Sequence, residues 1–140
     1  MNEIFFPKHI LIPTILSLIF LITVIYNRNK IVLKIGKNLF TAIVVFITIY
    51  LLIVGNALIT DLYYKYDLSQ YDLNKNGFFE SSNNEINENQ NIALQKVSNS
   101  TGRNFSFITG LILSFIISII LYSVLFVVTK MKRKHKTQIE

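Results

Sequence analysis

Three long stretches without a charged residue constrain this chain more than any other feature of its sequence. They cover residues 10–26, 39–60 and 105–129, and are 17, 22 and 25 residues long. A helix needs roughly 17 to 25 apolar residues to cross a bilayer, and in lipid a helix satisfies all of its own backbone hydrogen bonds. The pattern therefore predicts an all-α membrane protein with three transmembrane helices, in a single membrane domain over residues 1–140.

The first apolar stretch has a rival interpretation as a cleaved signal peptide. Basic residues follow it directly, in Asn27-Arg28-Asn29-Lys30, and no cleavage site of small residues is present. A signal peptide carries its positive charge before the apolar region and ends in small residues. The order of charge therefore favours a retained transmembrane helix.

Lysine and arginine are distributed unevenly among the segments that join these stretches. The linker 27–38 and the tail 130–140 carry nine of the fourteen, and three spans place both segments on one side of the membrane. Because cytoplasmic segments are enriched in Lys and Arg, the linker and the C-terminal tail are predicted to be cytoplasmic. The N-terminus and the loop 61–104 are then outside the cell membrane. The net charge of +6 is thus explained by topology and the lipid bilayer, and no nucleic-acid partner is predicted.

The outer loop 61–104 has features of its own. Tyr63, Tyr64 and Tyr66 follow the second apolar stretch and are typical of an aromatic belt at the membrane interface. Apolar residues with helical spacing predict a short extramembrane amphipathic helix at about 88–98, with Gly102 as its stop. The apolar face of this helix needs a partner, which is either the tyrosines or the membrane surface.

Small residues recur at every fourth position of the third stretch, at Ser106, Gly110, Ser114 and Ser118. Such a ladder lets another helix approach closely. We therefore predict a packing seam, either against the other helices of this chain or in a homo-oligomer or complex with a partner membrane protein. The alternative is the polar lining of a water path. Asn56 is the most polar residue of the spans. It either lines a path or contacts a partner helix, or it lies near the interface and reaches water or a backbone carbonyl.

Oxygen-bearing side chains alternate along the middle of the outer loop. The segment Asp72-x-Asn74-x-Asn76-Gly77 resembles the first half of an EF-hand calcium loop. In that family the first, third and fifth positions offer side-chain oxygens, the seventh a backbone carbonyl and the ninth a direct or water-mediated contact. The resemblance implies Ca²⁺ as a cofactor and these ligands: Asp72, Asn74, Asn76, Phe78, Glu80 and Glu85.

The second half of the segment departs from the EF-hand pattern. Asn83 occupies the twelfth position, where the family has a bidentate glutamate, and Glu85 comes two residues later. Glu85 therefore reaches the ion only through a longer loop. The resemblance implies weak binding, in the range of roughly 10⁻⁴ to 10⁻³ M. The alternative is an Asn76-Gly77 turn whose Asx side chains bond their own backbone.

Catalytic chemistry has little support in this sequence. The chain has no cysteine, its two histidines are predicted on opposite sides of the membrane, and the three spans contain no Asp, Glu, Lys, Arg or His. Motifs of known hydrolases and phosphate-binding enzymes are also missing. We therefore predict that the protein is not an enzyme.

The sequence leaves three functions open. The first is a structural or accessory role for a small integral membrane protein, with its outer loop held by weak calcium binding. The second is pore formation, because small phage holins resemble this chain in having three spans, an outer N-terminus and a basic cytoplasmic tail, although its 44-residue loop is longer than theirs. The third is a small transport-associated subunit that uses the serine ladder and Asn56.

Overall fold

A computed structural model describes residues 7–71 and 88–137, with side chains as far as residue 132. These residues form helices joined by short connections, and the described part of the chain contains no strand, which confirms the predicted all-α class. The helices are α1 (Lys8–Tyr26), α2 (Arg28–Ile35), α3 (Lys37–Ser69), α4 (Glu88–Ser98), α5 (Thr101–Asn104) and α6 (Ser106–Thr137).

Three of these helices, α1, α3 and α6, are long and apolar enough to cross a membrane. Most of their large side chains point away from the rest of the chain. In the most apolar part of α6 only 6% of the residues are buried within the protein. Soluble monomers rarely expose apolar patches larger than a few hundred Å². The length, composition and exposure of the three helices therefore agree with a multi-pass membrane protein.

Helix α3 is the centre of the fold, because both α1 and α6 pack against it while α1 and α6 contact each other little. The apolar core combines Ile10 of α1 with Val54, Ala57 and Leu58 of α3. In α1 the buried residues recur every seven positions, at Ile10, Ser17 and Val24. Helices that pack at a small crossing angle touch along such a narrow stripe, and the remaining apolar surface is left for lipid.

The termini of the three long helices alternate between the two ends of the bundle. At one end His9 Nε2, at the start of α1, lies 3.0 Å from Asn104 Oδ1, just before α6. At the other end the Asn38 side-chain amide, at the start of α3, donates to Thr129 Oγ1 over 2.9 Å. The linker between α1 and α3 therefore lies at the same end as the last turns of α6.

Helix α3 extends beyond the second predicted span. That span was expected to end at Thr60, where the uncharged stretch ends, but α3 continues for nine further residues to Ser69. The first charged residue, Asp61, is buried and ion-paired, so its charge does not end the helix. The tyrosines of the predicted belt are consequently part of α3.

The predicted linker 27–38 also contains a helix, α2, which a single glycine separates from α3. Gly36 has φ +81° and ψ 158°. This backbone region is essentially restricted to glycine, because a Cβ atom would clash with the neighbouring peptide groups. The chain therefore bends at Gly36, and α2 packs beside the start of α3.

A helix covers Glu88–Ser98. That this helix is amphipathic and lies outside the membrane stays a prediction. The predicted stop was wrong, since α4 ends at Ser98 and Gly102 lies inside the separate short helix α5. Its buried residues are Gln90 and Ala93, whereas Ile92 is exposed. Helix α4 packs against α3 along this buried face.

Candidate functional site

A buried carboxylate lies where α3 leaves its apolar stretch. Asp61 is 3% exposed. Its Oδ2 atom lies 2.8 Å from Lys65 Nζ, one turn along α3, in an ion pair without the angle of a hydrogen bond. Its Oδ1 atom accepts a hydrogen bond from Arg103 Nε over 3.3 Å. A carboxylate is costly to bury without partners, and the two cations compensate for its lost hydration.

Arg103 also binds the end of α4. Its Nη2 atom donates to the carbonyl oxygen of Lys96 over 2.8 Å and to that of Val97 over 3.4 Å. Nη1 donates to the carbonyl oxygen of Asn99 over 3.4 Å. The last carbonyl groups of a helix have no intrahelical donors, and a cation near them is favourable. The same guanidinium group therefore caps α4 and holds it on α3.

An aromatic ring completes this group of side chains. The guanidinium carbon of Arg103 lies 4.9 Å from the centre of the Tyr64 ring, and Lys96 Nζ lies 5.9 Å from it. Both distances are within the range of cation–π attraction. We call Asp61, Tyr64, Lys65, Lys96 and Arg103 the Asp61 cluster. It joins α3, α4 and α5 at the end of the bundle where α1 begins.

A second buried polar group belongs to α4, the helix that packs against α3. Gln90 is fully buried, and neither its Nε2 nor its Oε1 atom has a hydrogen-bond partner. An unpaired buried amide destabilises a fold by about 1–3 kcal/mol. Gln90 is therefore an unusual buried residue for a helix as short as α4.

The small-residue ladder of α6 lies against α3 of the same chain. Ser106 and Ser114 are buried, and a Cβ atom added to Gly110 would lie 3.1 Å from Ile53 Cγ2. Ser118 donates its hydroxyl to the carbonyl oxygen of Ala42 over 2.8 Å. The ladder thus forms a close helix contact within the chain. Association with a second copy or a partner membrane protein through the same residues stays a prediction.

Asn56 occupies a different position from the ladder residues. It is exposed, and it makes no hydrogen bond in the part of the chain that the structure describes. Leu52 and Ile59, one turn on either side, are also exposed. The interpretations of Asn56 as the lining of a path, as a contact with a partner helix and as a side chain that reaches water near the interface all stay predictions.

The residues of the predicted calcium site lie outside the described residues. They are Asp72, Asn74, Asn76, Phe78, Glu80 and Glu85. Among the residues that the structure describes, no three acidic or histidine side chains meet at one point. Calcium binding therefore stays a prediction from the sequence.

The reasoning from sequence did not identify the Asp61 cluster. Two signals of the cluster were present in the sequence. The first is that Asp61 and Lys65 have the spacing of an ion pair on one helix face. Helix spacing could not identify Arg103, the second partner of the buried Asp61, because Arg103 is 42 residues away along the chain. The isolation of Arg103, the last charge before the third apolar stretch, was the other signal.

The chain was compared with known protein families, curated proteins and solved structures. No protein-family model, curated protein or solved structure matches the chain.

Proposed function

We propose that this is a small multi-pass protein of the cell membrane with a structural or accessory role. In this proposal three membrane helices carry an outer segment, which consists of α4 and α5. This outer segment is the part of the protein that other molecules contact. The observation that carries the proposal is the double role of Arg103, which binds Asp61 of α3 and the last carbonyl groups of α4. A segment fixed in this way presents a constant surface, as a structural or accessory role requires.

The orientation in this proposal follows from charge. Helix α4 and the Asp61 cluster are outside, and the linker and C-terminal tail are cytoplasmic. The linker and the tail hold nine of the fourteen lysines and arginines. The contact of Asn38 with Thr129 brings these two segments to one end of the bundle. The positive-inside rule applies to short segments of this kind.

The same proposal gives calcium a stabilising role. Residues 72–85 lie between the end of α3 and the start of α4, the two helices that Arg103 holds together. A calcium ion bound by these residues would link α3 and α4 at a second point, in addition to Arg103. With an affinity of roughly 10⁻⁴ to 10⁻³ M, such a site is suited to the outside of a cell, where calcium is abundant. The ion would then stabilise the segment permanently and would not signal.

Pore formation is the second candidate, and the exposure of Asn56 favours it. An exposed polar side chain with no partner is costly on a lipid-facing surface, and several copies of the chain could turn it toward water. Vesicles loaded with a self-quenched dye distinguish the two functions. A structural or accessory protein releases no dye when reconstituted. Release by the wild-type chain that Asn56→Leu abolishes would replace our proposal with a pore.

Single cysteines test the orientation, because the natural chain has none. The variants Asn99→Cys and Lys34→Cys place a thiol at exposed positions at opposite ends of the bundle. A maleimide that cannot cross membranes should label Asn99→Cys in intact cells and Lys34→Cys only after permeabilisation. The reverse pattern would invert the proposed topology, and a chain that is absent from the membrane fraction would contradict the proposal as a whole.

A further inference from the structure

A cavity lies at the end of the bundle opposite the Asp61 cluster. Helices α1, α2 and α3 enclose about 630 Å³ where α2 bends back beside α3. Ligand pockets in proteins commonly measure roughly 300–1,000 Å³. We call this cavity the basic groove, and the residues that matter in it are Arg28, Lys37, Ile25, Val32, Phe40 and Val44.

The basic groove has a charged end and an apolar wall. Arg28 and Lys37 are exposed, and neither forms an ion pair within the described residues. No acidic residue occurs anywhere between residues 27 and 60. The apolar wall follows α3 through Phe40 to Val44. Seven residues of helix separate Lys37 from Val44, so the wall extends about 10 Å from the cations into the apolar stretch.

This arrangement matches the chemistry of a phospholipid. A guanidinium group presents a planar fork that binds two phosphate oxygens, and a nearby ammonium adds a point charge. Phosphate alone would use only the charged end, whereas an acyl chain would cover the apolar wall. The amphipathic lining therefore favours a lipid over a free phosphate.

We infer that the basic groove is a binding site for one anionic phospholipid. Its phosphate lies between Arg28 and Lys37, and one acyl chain runs along Val32, Phe40 and Val44. This inference rests on the membrane placement proposed above, but not on the role of the outer segment. It differs from general attraction to a charged membrane, because it assigns the effect to two of the four linker cations.

A second cavity of about 570 Å³ lies on the other side of Lys37, against the last turns of α6. Lys37 lines both cavities, and Lys132 is the other cation of this one, which contains no arginine. One of its polar groups, the Asn38 amide, is already bonded to Leu125 O and Thr129 Oγ1. The free guanidinium group therefore favours the basic groove as the lipid site.

Native mass spectrometry of the chain in neutral detergent tests the inference. Phosphatidylglycerol and phosphatidylcholine with the same acyl chains are the probes. We expect one phosphatidylglycerol to bind the wild-type chain more tightly than phosphatidylcholine. Each cation near an anionic headgroup contributes about fivefold in affinity, so the double variant Arg28→Gln/Lys37→Gln should bind phosphatidylglycerol about 30-fold more weakly.

The matched control removes the same charge from the same linker. Lys30 and Lys34 are exposed and lie outside the lining of the groove. The variant Lys30→Gln/Lys34→Gln should therefore keep the wild-type affinity. Equal losses in both double variants would overturn the inference, because they would show attraction to the linker charge as a whole.

Two further measurements test the apolar wall and the position of the site. Helix α2 has no buried residue, so Val32→Trp fills the groove without disturbing the core. It should abolish lipid binding while helical content by circular dichroism stays unchanged. Inorganic phosphate and glycerol phosphate should fail to compete with the lipid. The inference is overturned if they compete, if phosphatidylcholine binds equally well, or if Lys132→Gln weakens binding and Arg28→Gln does not.

The outcomes also separate this inference from the proposed function. A chain that fractionates with membranes but does not distinguish the two lipids contradicts the lipid site alone. A chain that does not fractionate with membranes contradicts the placement on which both depend.

Discussion

The guanidinium group of Arg103 donates a hydrogen bond to the carboxylate of Asp61, which is buried at the end of the second apolar stretch. The two residues belong to different helices and are 42 positions apart in the chain. Because Arg103 also caps α4, this contact links the end of α4 to α3.

Substitution of Asp61 should release this segment. Asp61→Asn leaves Arg103 and Lys65 without their shared anion, and we expect the free energy of unfolding to fall by about 2–3 kcal/mol. The loss is smaller than for a fully buried pair, because Lys65 is 30% exposed. Thermal unfolding in detergent measures it. The control is Asp67→Asn, since Asp67 lies on the same helix and forms no ion pair with any residue that the structure describes. Equal effects of the two substitutions would contradict the role of Asp61.

The contact of α6 with α3 depends on the absence of a side chain at Gly110. A Cβ atom there would already lie 3.1 Å from Ile53 Cγ2, so Gly110→Leu should push the helices apart and cost about 1–3 kcal/mol in unfolding free energy. Gly55 offers the matched control, because a Cβ atom at Gly55 would meet nothing within 4 Å. Gly55→Ala should be neutral or should stabilise α3 by up to about 1 kcal/mol. A stable Gly110→Leu variant would mean that the ladder is not a close contact.

A hydrogen bond between helices should be measurable at the other end of the bundle. Asn38 and Thr129 share a bond of 2.9 Å, and polar contacts between membrane helices contribute about 0.6 kcal/mol on average. A double-mutant cycle of Asn38→Ala and Thr129→Ala should give a coupling energy of about this size. Within the described part of the chain, Ser123 bonds only to the carbonyl oxygen of Ile119 in its own helix, so the cycle of Asn38→Ala with Ser123→Ala should give no coupling.

The buried amide of Gln90 should be replaceable with a gain in stability. Gln90→Met keeps the volume of the side chain and removes two polar atoms without partners, so we expect the unfolding free energy to rise by about 1 kcal/mol. Gln95→Met, at an exposed position of the same helix, should change little. If Gln90→Met lowers the melting temperature in detergent while Gln95→Met does not, the amide of Gln90 has a binding partner.

Calcium should stabilise the outer segment if the EF-hand-like residues bind it. Calcium at about 10 mM exceeds the expected dissociation constant by at least tenfold, so it should raise the melting temperature of the wild-type chain. Asp72→Ala should remove this shift, whereas Asp67→Ala should keep it. Magnesium at the same concentration is the control for general charge screening. The absence of any calcium-dependent shift in the wild-type chain would eliminate the site and leave the Asn-Gly turn.

The bounds of the helices show how far the sequence can be read. The spacing of Ile92, Ala93, Leu94 and Val97 gave α4 its predicted range, because helix periodicity is a local property. The end of α3 was missed, because the first charge was taken as the end of the span. A charged residue ends a span when its side chain would contact only lipid, whereas the side chain of Asp61 contacts Arg103. Similarly, the helix in the linker was missed because α2 is stabilised by its contact with α3 and has only eight residues.

The sequence by itself determined the fold class, the number of long apolar helices and the uneven distribution of charge. These properties follow from hydrophobic length and residue type, which act within one segment at a time. Only the tertiary structure decided that the serine ladder faces α3, that Asp61 is buried, and that Arg28 and Lys37 share one cavity. Such relationships depend on how the helices rotate and cross, which follows from packing between segments that are distant in the chain.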